Sequence, residues 1–245
     1  AKVTDASGNV TYYADGVSAN GSTIHGMVYA LENAPSGSTI KALTSGAYDV
    51  TITGGRTLML DMNGTTNNGG IISIGKLNEA GGTGNTLTLT GNGELVSYVS
   101  GQTVYNTITV YPDNTLTVDK DWHGNLGQVR VYLAYNGSAP AAAQLSGGTF
   151  QSIGPQSWDA ASTTAGSWLA EGYAFRRTDG EKAWVRYDTE LTTEYAVAKN
   201  PLENVEVVTC QHAAFESGKC VYCNYVCTHE QVTETGECTV CGLEY

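Results

Sequence analysis

Before Cys210 the chain contains no cysteine, so a disulfide network tying the whole molecule together is excluded. Only 12 of the 245 residues are Lys or Arg, and they do not cluster. That removes the counterion-releasing basic face that nucleic acids and anionic membranes require. No apolar run approaches the ~18 residues of a membrane span, so a soluble, acidic chain with no span and no cleavable signal is expected, in keeping with a mature segment. Proline occurs only five times and phenylalanine three. What abounds instead is Thr (31), Gly (30) and Tyr (15), a composition suited to short strands broken by tight turns. A hydrophobic fraction of 41% suffices for a core if the pieces pack as one body.

Charge divides the chain. Residues 1–187 hold 14 acids and 10 bases, whereas 188–245 hold 10 acids and 2 bases together with all six cysteines and two of the four histidines. The first part carries a repeat. Thr57-Leu58-Met59-Leu60, Thr86-Leu87-Thr88-Leu89 and Thr115-Leu116-Thr117-Val118 recur with a shift of 29 residues, and Leu145 falls 29 beyond Leu116. Alternation within each string puts the leucines on one face of a half-buried strand. Gly-rich corners follow, at Asn63-Gly64, Gly91-Asn92-Gly93 and Gly147-Gly148, and second alternating runs lie near Val50, Ile72, Ile108 and Val129. A unit of this size cannot bury its apolar face alone, and stacking copies gives it a continuous interior. The expected fold is therefore mainly β, a short parallel β-helix of four or five coils. Its open ends need caps. Residues 22–34 supply the first, a helix with Ser22 as N-cap, Ile24, Met27, Val28 and Leu31 at helical spacing, and Pro35 as the stop. His25 within it is read as structural.

The stretch from Ile52 to Gly64, with its Thr57-Leu58-Met59-Leu60-Asp61-Met62-Asn63-Gly64, resembles the strand pair of right-handed β-helix repeat proteins on the surface of Gram-positive, especially gut, bacteria. Leu169-Ala170-Glu171-Gly172-Tyr173-Ala174-Phe175 with Asp179-Gly180 is similar to the segment that often closes such modules. The resemblance implies a right-handed coil, an extracellular wall-attached polypeptide and neighbouring domains in a longer chain. It divides the sequence into an N-terminal strand and capping helix (1–35), β-helix coils (36–155), a closing segment (156–204) and a tail (205–245). No wall-sorting signal is seen, so the means of attachment is open.

The tail repeats itself. Cys210-x-His212 is followed by Gly218-x-Cys220-x-x-Cys223, and Cys227-x-His229 by Gly236-x-Cys238-x-x-Cys241. Two Cys₃His sets match the four-coordinate demand of structural Zn²⁺, so two structural ions are expected, and closed sets leave no position for a substrate. Three disulfides are the alternative in an oxidising exterior, but they leave both histidines without a role. The tail has few large apolar groups, so metal binding would supply much of its folding free energy. In the resembled proteins such repeats follow the closing segment and look like rigid spacers.

Parallel β-helices also host polysaccharide lyases and hydrolases. Asp119-Lys120-Asp121-Trp122-His123-Gly124 gathers acid, base and indole, yet lacks the paired-Asp and Arg-x-Lys motifs of those enzymes, and Arg130 is the sole base in the neighbouring strand. A non-catalytic structural or adhesive module is the expectation. The alternative is a carbohydrate-binding module whose aromatic groove is built from Trp122, Tyr111, Tyr132 and Tyr135. Expected partners are neighbouring domains, a glycan or host protein, and a second copy joined through strand edges, with Asn9–Tyr13 as the donated strand. Trp184 is expected to seal the last coil.

Overall fold

The computed structural model describes residues 1–17, 23–101, 103–133, 137–180, 183–194, 197–223 and 225–242. The repeated Thr/Leu strings form strands Thr57–Asp61, Thr86–Thr90 and Thr115–Val118, which pair in parallel with Thr57, Thr86 and Thr115 abreast. The 29-residue shift is thus the pairing register. Leu58, Leu87 and Leu116 stack in one row and Leu60, Leu89 and Val118 in the next, each at most 1% exposed. Burying one such side chain stabilises by about 2 kcal/mol. Threonines and Met59 take the outward positions.

The fourth copy departs from this phase. Strand Ala142–Leu145 sets Leu145 opposite Val118 and Ala143 opposite Leu116, a shift of 27. Because the side-chain period is two, a slip of two residues keeps the same face inward, and Leu145 stays fully buried. The ladder extends in the other direction to Thr39–Lys41, beyond which Lys2–Thr4 and Val10–Tyr12 add antiparallel strands, completing a mixed seven-stranded sheet.

A second seven-stranded sheet runs in parallel through Val50–Ile52, Ile72–Ile74, Ile108–Val110, Gln128–Tyr132 and Thr149–Gln156, then turns antiparallel through Leu202–Thr209 to Tyr173–Arg177. Here Ile72, Ile108, Val129 and Ile153 align with shifts of 36, 21 and 24, so no fixed period exists. An exposed hairpin, Val99–Ser100 against Thr103–Val104, lies within the longest arc. A third, narrow ladder joins Thr66–Asn68 to Glu94–Val96 and continues by single bridges to Asn125 and Thr149. The molecule is mainly β, with mixed sheets and one α-helix among the described residues.

Buried polar side chains tie neighbouring strands together. Asn85 and Asn114, 29 residues apart, each precede a repeated strand and are 0% and 2% exposed. Asn85 Oδ1 accepts from the Arg56 amide at 3.1 Å, and Asn114 Oδ1 accepts from the Asn85 amide (2.8 Å) and from Asn85 Nδ2 (2.9 Å). Asn114 Nδ2 in turn donates to the carbonyls of Pro112 (2.7 Å) and Gly82 (2.9 Å). Truncating one partner leaves buried donors and acceptors unmatched. Asn114→Ala is therefore expected to cost about 3 kcal/mol in urea unfolding; a change within error would show that the ladder contributes nothing.

Helix α1 spans Gly26–Asn33, shorter than the expected 22–34, and buries Met27, Ala30 and Leu31. Ser22 lies outside the described residues. His25 occupies the N-cap position without a side-chain cap bond; instead Asp15 Oδ1 accepts from the Gly26 amide at 2.8 Å. A Cβ on Gly26 would sit 2.3 Å from the Tyr13 carbonyl oxygen, so this close approach requires glycine. Asn9–Tyr13, expected to be donated to another copy, instead folds back: Val10–Tyr12 pairs with Lys2–Thr4 and forms the sheet edge. At the opposite end Trp168 is 3% exposed, and Leu169 bridges Leu145. Strand Leu202–Thr209 crosses the expected 204/205 boundary without a break.

Candidate metal centres

Each C-x-H…G-x-C-x-x-C copy folds into the same local shape. His212 and His229 both adopt left-handed backbone (φ 51° and 58°), as do Gly218 and Gly236 (φ 77° and 88°). For a non-glycine residue this costs about 1 kcal/mol, a cost incurred at the same place in both copies. It turns each imidazole toward the thiols. Cys223 Sγ lies 3.4 Å from His212 Nδ1 and Cys241 Sγ 3.5 Å from His229 Nδ1. Cys210 Sγ is 3.6 Å from Cys220 Sγ, and Cys227 Sγ 3.5 Å from Cys238 Sγ.

Within each set, Cys210-His212-Cys220-Cys223 and Cys227-His229-Cys238-Cys241, all ligand atoms lie within 4.8 Å of one another. A tetrahedron with metal–sulfur bonds of about 2.3 Å has edges of about 3.8 Å, so the spacing suits an ion at the centre. A disulfide needs sulfurs about 2.05 Å apart, and all six cysteines are free thiols. Both sets can hold a metal ion.

The two sets differ in support. Cys210, Cys220 and Cys223 share a buried cluster with Ala174, flanked by Trp184, Phe215, Tyr222 and Tyr225. Trp184 does not seal the last turn as expected. It bridges Arg176 at the sheet edge and stacks on Tyr222 with centroids 5.9 Å apart, packing against the first Cys/His set. The Arg186 guanidinium clamps Glu216 at 2.7 and 2.9 Å, the Tyr187 amide donates to Val221, and the Cys210 amide to Gly172. Around the second set Val226, Val232 and Val240 are exposed, and Cys241 is half-exposed.

Burial pushes the Cys210 thiol up and that of Cys223 up to about 12; Cys227 is pushed up to about 11 for the same reason. Cys238 is held down to about 6, chiefly by the Cys241 amide and also by that of Val240. Without a cation most of these thiols keep their protons, so metal uptake releases protons.

The expected aromatic groove is not formed. Trp122 is 1% exposed and its Nε1 donates to the Gly124 carbonyl at 2.9 Å, so the indole belongs to the core rather than to a sugar platform. Tyr132 is buried and stacks on half-buried Tyr111 at 5.0 Å, so these rings pack against each other and the core, where burial outweighs what an exposed edge would gain. Tyr135 lies outside the described residues. Asp121 accepts from Lys120 Nζ at 3.2 Å, and among the described residues no hydrogen bond joins it to His123. Arg130 is half-buried, donating to the Val129 carbonyl and Ser152 Oγ, and burial lowers its pKa.

Sequence reasoning missed a trough of ≈ 610 Å³ at the third ladder, lined among others by Thr66, Asn92, Glu94, His123, Asn125 and Gln151. The Asn-Gly corners were its available signal. No protein-family model, curated protein or solved structure matches the chain.

Proposed function

We propose that this chain is a non-catalytic structural and adhesive module of a bacterial surface polypeptide. In this reading the three ladders are faces of one short right-handed parallel β-helix, α1 covers one end, and two structural Zn²⁺ ions stiffen the tail as a junction to a neighbouring domain. The observation that carries it is the pair of closed Cys₃His sets, the first of them packed onto the sheet end. Four protein ligands leave no open position for water or substrate, which favours a structural ion. Parallel pairing at a 29-residue register supports the stack. Extracellular placement follows from the resemblance of the Ile52–Gly64 and Leu169–Gly180 segments.

Metal analysis tests the reading. Two zinc ions per chain are expected, and cobalt-substituted protein should give the visible bands of tetrahedral thiolate sites; protein without metal but with six oxidised sulfurs would end it.

Self-association belongs to the same proposal. Val10–Tyr12 is the terminal strand of its sheet, uncharged, with Val10 47% and Tyr12 68% exposed. Such an edge lacks the lysine or proline that blocks pairing between chains. Light scattering should show concentration-dependent dimers that Tyr12→Pro, which places a ring where the amide points away from Lys2–Thr4 at that edge, abolishes. A monomer at every concentration removes this element while leaving the zinc reading intact.

A further inference from the structure

We propose that the trough on the third ladder binds a neutral, hydroxyl-rich polysaccharide strand lying along the stack. Thr66, Glu94, Asn125 and Thr149 are successive rungs, each opposite the next. Rungs recur about 4.8 Å apart, so the four span about 14 Å and present polar side chains at a repeat close to that of a pyranose chain. Asn92 and His123 flank these rungs on one side and Gln151 on the other.

Two observations set this surface apart from an ordinary solvated corner. First, it is concave: the trough of ≈ 610 Å³ adjoins another of ≈ 560 Å³, and His123 and Thr149 line both. The floor is formed where successive turns nearly touch, since a Cβ on Gly124 would lie 1.6 Å from the Gly93 carbonyl oxygen and one on Gly93 2.3 Å from Met62 Cβ. Second, the amides here are unspent. Whereas interior Asn67, Asn85 and Asn114 each make several bonds, the side chains of Asn92, Glu94, His123 and Gln151 make no hydrogen bond or ion pair among the described residues, and Asn125 uses only its Oδ1, on the Gly127 amide.

Charge and polarity narrow the ligand class. Among the described residues Glu94 is an unpaired acid in the trough, while in the adjoining one Asp121 is paired with Lys120 and Glu206 with Arg176, in a chain of net charge −12. A polyanion would be repelled. Trp122 and Phe150 lie beneath the surface, fully buried, so neither ring is offered to a hydrophobic peptide. What remains is dense hydrogen bonding to hydroxyls from amides, a carboxylate, an imidazole and threonines, with several recognition groups converging on one cleft.

This inference deepens the adhesive reading and rests on it for its biological setting, while the zinc content of the same sample reports on the structural part separately. Titration calorimetry of the zinc-loaded chain with cellohexaose, xylohexaose and mannohexaose is expected to give saturable binding of at least one. Asn92→Ala/Gln151→Ala should weaken that binding about tenfold or more, as expected when two hydrogen bonds to the ligand are lost, with the melting midpoint unchanged because neither side chain bonds within the chain. Hexagalacturonate should not bind. Absence of binding by all three neutral sugars, equal binding by the double variant, or preference for hexagalacturonate overturns the proposal, even where two zinc ions are found.

Discussion

Replacing Cys223 by Ser is expected to remove one of the two proposed metal ions and to loosen the junction between tail and sheet. Metal binding by such sets contributes about 10–16 kcal/mol of apparent free energy in small isolated repeats, more than the sparse apolar contacts of this tail can replace. The first set also anchors Trp184 on Tyr222 and aligns Glu216 with Arg186, so its loss should abolish the near-ultraviolet dichroism of that stack. Cys241→Ser should remove the other ion without that change, since the Trp184–Tyr222 pair packs on the first set. The body, with its own buried cluster running from Val3 to Val207, should stay folded in both variants. Unchanged metal content in Cys223→Ser, or identical dichroism changes in the two variants, would contradict this division of labour.

Trp122→Ala should lower stability by about 4 kcal/mol, the range for deleting a large buried aromatic. For a body of this size that corresponds to a fall in melting midpoint of roughly 10 °C. The indole is 1% exposed, and its N–H bond to Gly124 fixes the corner that follows strand Thr115–Val118. A surface-lying indole would give less than about 0.5 kcal/mol on the same change, so calorimetric melting separates core from platform.

Both results bear on what a reader of the sequence can see. The Thr57, Thr86 and Thr115 strings announce their register because each strand is bounded by short corners and must present leucine to the same interior row. The candidate metal ligands are equally legible, because coordination geometry demands particular residue types at particular spacings and His212 repeats at His229. The second sheet hides its order, since loops of different length feed Ile72, Ile108 and Val129, and only burial reveals that they align. Leu145 misleads: it has the right phase for a 29-residue repeat yet pairs with Val118, because a slip of two is silent in side-chain orientation. Trp122 misleads for another reason. Its polar neighbours Asp121 and His123 are exposed while the ring between them turns inward, a distinction that one-dimensional composition cannot draw.

Strand Leu202–Thr209 is flanked on both sides by antiparallel neighbours, Thr149–Gln156 and Tyr173–Arg177, and runs directly into Cys210. Tension applied through the tail would therefore reach the body lengthwise along a strand held by two ladders, whose hydrogen bonds share the load at once rather than opening one after another. Mechanical resistance in such a geometry comes from shear, so the body would be expected to outlast the Cys/His repeats of the tail under a pulling force.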